Sequence, residues 1–440
     1  MKAEARGMNP PTISPLQNPS GLFTNSRGSI SGALTGCLSS LDGACIEKLL
    51  LHCGSALESN DVTLAQQVMW VLNNVASSTG DPNQRLASYF LRALISRASR
   101  VCPTTMSFKP AAPHRRLMSV TELAGYVDLL PWHRFGFCAA NSAILEAVRG
   151  FPSVHILDLS ITHCMQWPTF IDALGKVPGG PPAALRISVP SWRPPAPPLL
   201  NASIEEVGQR LVNFAKFRDV PFEFNVVDLG GEEEEEESAY DSLLSQLNAF
   251  AVKVNADEAL VVNVQNWLRY LPDDESRIMS IRDSFLESIG RLNPRLVTVV
   301  DEDCDLGGGL ASRIAACFNY MWIPFDALET FLPKESPQRI EYESDIGHKI
   351  ENIVGFEGAP RVERPESGSR LCHRMAGAGF TSVPLGEETV KEVKALLDEH
   401  ASGWGMKKDE EDMLVLTWKG HNAVYAAAWA PRANQHPLAD

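Results

Sequence analysis

Asp158 closes a short apolar run, Val154-His155-Ile156-Leu157-Asp158-Leu159-Ser160. A carboxylate there stands where the first strand of an α/β sheet ordinarily meets a bound cofactor. Spaced glycines would let the backbone turn sharply and approach such a ligand. The alternate positions after Asp158 are instead Ser160, Thr162 and Cys164. Ordinary residues held in that turn would each cost about 1–3 kcal/mol of backbone strain, so several together are not expected to keep it. The second strand also ends without a carboxylate for ribose hydroxyls, in Arg186-Ile187-Ser188-Val189-Pro190. The expectation is a cofactor scaffold that has lost its cofactor: no cofactor, no catalytic residue, and a binding protein rather than an enzyme. The competing reading keeps S-adenosylmethionine through backbone contacts, as a methyltransferase. A third uses the vacated cleft as a small-molecule receptor.

Other reactive-looking groups carry less. Asp158 is expected to accept backbone N–H groups of the following loop, and His155 to be a satisfied core histidine. Gln166 and Trp167 are expected to pack the next helix on the sheet. Asp301-Glu302-Asp303-Cys304-Asp305 invites a calcium loop, but position six is Leu306 and position twelve is Ser312. A solvated acidic loop is expected there. His163-Cys164 and Cys372-His373 are adjacent pairs, a poor fit to metal-ligand spacing, so no metal is expected. No Gly-x-Ser-x-Gly elbow occurs, and no cysteine lies in a recognisable reactive context.

The elements that must position these residues follow from periodicity. Residues 1 to about 40 lack a sustained period and read as a disordered arm. Ile46, Leu49, Leu50, Cys53 and Leu57 recur at helical spacing, followed by Ala65, Val68, Met69, Leu72 and Val75, then Leu86, Phe90 and Leu94 after an Asp81-Pro82 start. Further helices are expected over Val120–Leu129 and His133–Val148. From Ser153 strands alternate with helices. Strands are expected at Val154–Leu159, Ala184–Val189, Phe222–Val227, Ala259–Val264 and Leu296–Val300. Helices between them fall at Pro168–Leu174, Ile204–Phe217, Tyr240–Phe250 and Ser276–Ile289. That alternation predicts a parallel sheet covered on both faces. Met413–Trp418 and Ala423–Trp429 predict an antiparallel hairpin, with Thr381–Leu385 pairing nearby. The fold class is thus a Rossmann-like, methyltransferase-type α/β sheet with an N-terminal helical cap and a C-terminal hairpin. Its parts are an arm (1–40), a cap (41–150) and a core (151–440).

A net charge of −15 repels a phosphate backbone, and the best basic clusters, His114-Arg115-Arg116 and Lys407-Lys408, are small. The nine cysteines form no Cys-x-x-Cys pair and read as buried thiols of a reducing compartment. No stretch is apolar enough to span a membrane, and no secretory signal is expected. Pro190–Pro198 should be an extended loop, and Glu232 to Glu237 a solvated one.

The strand Val154, His155, Ile156, Leu157, Asp158 with Gln166, Trp167 and Pro168 resembles the Val-His-Ile-Ile-Asp motif of the GRAS family of plant transcriptional regulators. The helices from Ile46 to about Ser99 resemble its first leucine-rich region, and Leu260–Leu271 the start of its second. Pro294, Phe318, Tyr320 and Arg361-Val362-Glu363-Arg364 resemble its third named block, and Trp418, Ala428 and Trp429 its last. The resemblance covers about residues 42 to 430, nearest to the Scarecrow-like group beside the Short-root proteins. Three positions depart: Cys164 replaces a glycine, Ala427 replaces a serine, and the arm lacks the acidic motif of hormone-regulated members. The resemblance implies regulation of transcription in the nucleus, through homo- or heterodimers with other GRAS proteins or DNA-bound factors, with direct sequence-specific DNA contact possible. It also moves the Ile46, Leu49, Leu50, Cys53, Leu57 face from a plain core stripe to an expected partner interface.

Overall fold

A computed structural model describes residues 42–101, 117–160, 162–191, 198–227, 243–244, 247, 258–272 and 280–432. The expected arm, the His114–Arg116 cluster, Trp192–Pro197, the acidic run and most of the Tyr240–Phe250 helix lie outside the described residues.

Three helices open the described chain: α1 (Gly43–Glu58), α2 (Val62–Val75) and α3 (Pro82–Val101). Asp42 caps the first through Cys45 N at 2.9 Å, Asp61 the second through Leu64 N at 3.0 Å, and Asp81 accepts from Gln84 N at 3.0 Å. Such caps satisfy N–H groups that have no partner inside the helix. A short β1 (Leu117–Met118) leads to α4 (Val120–Leu129) and α5 (Trp132–Ala147). Then come β2 (Ser153–Ser160), α6 (Trp167–Gly175), β3 (Ala184–Pro190), β4 (Leu199–Leu200), α7 (Ile204–Phe217), β5 (Phe222–Val227), β6 (Ala259–Gln265), α8 (Ile281–Arg291) and β7 (Leu296–Glu302). The last third holds α9 (Leu310–Glu329), α10 (Pro337–Gly355), α11 (Gly368–Gly377), β8 (Phe380–Val383), α12 (Glu387–Asp398), β9 (Trp404–Lys408), β10 (Leu414–Trp418) and β11 (His421–Pro431).

The main sheet runs β5-β3-β2-β6-β7-β11-β10-β9, with β8 beside the end of β11. Strands β5, β3, β2, β6 and β7 are parallel, and β11 and β10 are antiparallel to their neighbours. This is the expected mixed sheet with its hairpin. Every residue of β6 and β7 is buried, as strands covered by helices on both faces require.

Two features lay beyond the periodicity reading. The helices α9 to α12 were not anticipated: α9 is buried on several sides and its apolar residues follow no single stripe, whereas α10 does carry one buried stripe, through Tyr342, Ile346, Ile350 and Ile353, that the reading passed over. Strand β9 was also missed.

The helical layer draws on both ends of the chain. Helix α1 packs against α9, α3 packs against both α9 and α10, and α2 packs on α1 and α3. Arg85 of α3 reaches Glu343 of α10 at 3.1 Å and Glu329 of α9 at 3.0 Å, and Arg339 binds the same two carboxylates. Arg85, Arg339 and Glu343 are buried while Glu329 is 32% exposed, and removing a buried partner leaves uncompensated charge inside. The described residues from Asp42 onward belong to one compact unit.

The expected partner face is corrected here. Ile46, Leu50 and Cys53 are fully buried and Leu49 is 1% exposed, and Leu57 is partly buried. Helix α9 lies against α1 so closely that a Cβ on Gly54 would sit 2.9 Å from the Ala311 Cα. The stripe read as surplus is covered by helices from the far end of the chain.

Candidate functional site

The carboxyl ends of β2, β6 and β7 carry a buried polar row. Register sets Asp158 beside Asn263, and Asn263 beside Thr298. Asn263 donates from Nδ2 to Asp158 Oδ1 at 2.9 Å, and Thr298 Oγ1 donates to Asn263 Oδ1 at 2.8 Å. Two residues further on, Gln265 Nε2 donates to Gln166 Oε1 at 2.6 Å, which also takes Asn263 Nδ2 at 3.0 Å. Gln166 Nε2 in turn donates to Asn141 Oδ1 of α5 at 2.9 Å. Trp167, opening α6, donates its indole N–H to Asp158 Oδ2 at 2.7 Å. Asp158, Asn263 and Gln265 have no exposed surface, and Gln166 and Thr298 have 1% each. Buried amides and carboxylates are stable only with partners. These find theirs in one another, except for Gln265 Oε1, which is buried without a hydrogen bond among the described residues.

The S-adenosyl cofactor that this fold class implies does not fit these residues. Asp158, Asn263 and Gln166 could address a nucleoside, yet they are spent on each other. Ser188, Val189 and Pro190 supply no carboxylate at the end of β3 and are themselves buried. Helix α5 closes in from above, where a Cβ on Gly136 would meet Val300 Cγ1 at 2.6 Å and Gln265 Oε1 at 3.2 Å.

One expectation about the turn was wrong. His163 and Cys164 both keep the left-handed backbone, at φ 50° and 63°. The strained turn persists without glycine because it swings Gln166 and Trp167 onto Asp158. His163 Nε2 also bonds the Pro198 carbonyl at 2.9 Å. The case against a cofactor therefore rests on the filled space and not on strain.

The remaining motif residues scatter. Val154, Ile156 and Leu157 are core. His155 sits mid-strand, bonded to Ser188 Oγ at 2.8 Å, and Glu258 lies 3.4 Å from its other nitrogen. Burial lowers its pKa, with Glu258 opposing. Pro294 is buried before β7. Phe318 meets Phe90 edge-on at 5.6 Å, and Tyr320 donates to Ala423 O at 2.5 Å. Trp418 donates to Asp326 at 2.7 Å, while Trp429 is buried in β11. The structure brings Asp158, Gln166 and Trp167 together and leaves the others as separate packing points.

A second network overturns the solvated acidic loop. Asp301 and Glu302 are residues of β7, 3% and 6% exposed. Arg269 pairs with Asp301 and with Glu302 at 2.9 Å, and Lys349 Nζ lies 2.5 Å from Glu302. Glu363 joins through Tyr270 OH at 2.9 Å. Burial alone would raise the Glu302 pKa, but Arg269 and Lys349 prevail and hold it at about 2. His133, at the start of α5, is pushed down to about 4 by burial and then by Arg269. Sequence reading missed Asn263 and Gln265, although the signal was present: two polar residues at alternate positions of an apolar strand share one face.

Such an arrangement defines a Rossmann-like mixed sheet whose cofactor end is closed by its own side chains. Residues 46–430 match the GRAS domain family. The chain is 50% identical to Scarecrow-like protein 32 of Arabidopsis thaliana over 397 residues, spanning 89% of this chain and 94% of that one. It is 34% identical to Protein SHORT-ROOT 1 of Oryza sativa subsp. japonica, over 87% of this chain and 68% of that one. The crystal structure of SCL7 in Oryza sativa superposes with a TM-score of 0.71 at 28% identity, covering 87% of this chain and 99% of that one. The chain belongs to the GRAS family of plant transcriptional regulators. The methyltransferase alternative is not favoured.

Proposed function

We propose that the chain regulates transcription in the nucleus as a platform for protein contacts and performs no catalysis. The observation that carries this reading is the buried network joining Asp158, Gln166, Asn263 and Gln265. A nucleoside could enter only by breaking it. Calorimetric titration with S-adenosylmethionine is expected to give no saturable heat, and a micromolar isotherm would overturn the reading.

Partner association needs a different surface from the buried stripe. The outer side of the α1–α2 hairpin supplies one: Trp70 is 63% exposed, with Leu51 and Val62 at 38%. Helix α2 carries no charged residue at all, so a second acidic chain or a DNA-bound factor approaches it without repulsion. An exposed tryptophan on a neutral face has the character of a binding hot spot. Gene choice then comes mainly from the partner, because a net charge of −15 opposes strong autonomous DNA binding. Trp70→Ala is expected to weaken association in a pull-down at unchanged thermal stability. Undiminished association would remove this surface from consideration.

A further inference from the structure

Around Arg361, positive charge outruns negative. This residue lies between α10 and α11, and its Nη1 donates to the Leu306 carbonyl at 3.1 Å. Its Nε makes no hydrogen bond, and its paired anion, Glu357 Oε2, stands 3.9 Å away. The same Glu357 carboxylate takes Arg97 at 3.1 Å and Arg313 as well. Arg364, whose Nη2 donates to Gly358 O at 2.8 Å, lies within electrostatic reach of Arg361. Among the described residues Arg97, Arg313 and Arg361 thus share one carboxylate, in a chain of net charge −15. The local field registers this excess: burial, then Arg313, Arg364 and Arg97, bring the Arg361 pKa down to about 10.

The cations are anchored from behind, while the anion that pairs with them is half-exposed. Arg313 is held from behind by the carbonyls of Ile353 and Gly308, both at 3.0 Å, and its side chain is 2% exposed. Arg361 is anchored by Leu306, as above. The Glu357 side chain is 46% exposed, on a loop. Its neighbour Gly358 has φ +63° and open space where a Cβ would lie.

We propose that this cluster binds a single phosphate monoester carried on a partner peptide, with Glu357 as the resident carboxylate that the phosphate displaces. Planar guanidinium forks match phosphate oxygens bidentately, and arginine clusters are the usual readers of phosphorylated segments. A nucleic acid suits the site less well. Its charges recur about every 1.7 Å of duplex and would meet a chain of net charge −15, whereas one phosphate touches the cluster alone.

The test is a fluorescence-anisotropy titration of the full chain with a phosphoserine peptide pool of degenerate flanks, beside its unphosphorylated twin. The phosphorylated pool is expected to bind, the twin not to, and inorganic phosphate to compete. Arg361→Gln should weaken binding about tenfold, the value of roughly one charge-assisted hydrogen bond. Arg364→Gln, at a half-buried guanidinium within electrostatic reach of Arg361, guards against misfolding and should weaken it too. Glu357→Gln should tighten binding several-fold by removing the competing carboxylate. Absence of phosphate-dependent binding, indifference to both arginine variants, or weaker binding in Glu357→Gln would each overturn the proposal. So would a short DNA duplex that binds through Arg361 more tightly than the peptide.

Discussion

Trp167 reaches back to Asp158 and donates its indole N–H to Oδ2 at 2.7 Å, both residues being fully buried. The same aspartate receives Asn263, 105 residues away, on its other oxygen. One carboxylate therefore fastens the start of α6 and the middle of the sheet at once. In a cofactor-binding relative of this fold that end of the strand would have to remain open.

Asp158→Ala leaves both donors buried without that acceptor, at about 1–3 kcal/mol for each. Urea unfolding should show a loss of at least about 2 kcal/mol, and Asp158→Asn, which keeps one carbonyl oxygen, should lose less. A midpoint for Asp158→Ala equal to that of the unaltered chain would remove the network from the stability argument.

Cys164 is an L residue at φ 63°, and 2% exposed. Glycine there gives up a buried thiol but relieves strain of about 1–2 kcal/mol, so Cys164→Gly should change stability by less than about 1 kcal/mol. Cys164→Val adds β-branching in the same conformation and should cost more than about 2 kcal/mol. Equal stability of the two variants would show that the turn is not strained.

The seam between α1 and α9 leaves no room. Gly54→Val is expected to cost about 1–3 kcal/mol by overpacking against Ala311 and Ile314. Leu50→Asp places a charge in a fully buried position and is expected to unfold the helical layer instead of selectively impairing partner binding. A folded Leu50→Asp chain, judged by near-ultraviolet circular dichroism, would contradict the packing described.

Acid should weaken the fold in two stages. The folded His133 pKa, near 4, lies below its unfolded value of about 6.5. The unfolded ring therefore gains its proton first, and stability present above pH 6.5 declines between about 6.5 and 4. Glu302 has a folded pKa of about 2 against an ordinary 4.5, so its contribution is present above about pH 4.5 and is lost below that, on the order of 3 kcal/mol in all. Thermal midpoints measured against pH should show His133→Asn flattening the upper stage and Glu302→Gln the lower one. Unchanged slopes in both variants would refute the assignment.

Local order was legible wherever one periodicity governed a segment. Helices α4 and α7 and strand β5 fall on the expected residues, since each has a single apolar face and clear stops. Asp301 and Glu302 defeated that reading, because adjacent carboxylates look solvated until Arg269 and Lys349 arrive from elsewhere. The α1 stripe defeated it too: nothing near Ile46 announces that residues after 310 will cover it.

By itself the sequence determined the alternation of strands and helices, the missing glycines after Asp158, the acidic surface and the family pattern. All of these are properties of neighbours along the chain. Tertiary structure alone decided that Asn263, Gln166 and Trp167 close on Asp158 and that α9 covers α1. Strand order and register pair residues a hundred positions apart, and a buried polar group is satisfied only by what that pairing brings within about 3 Å.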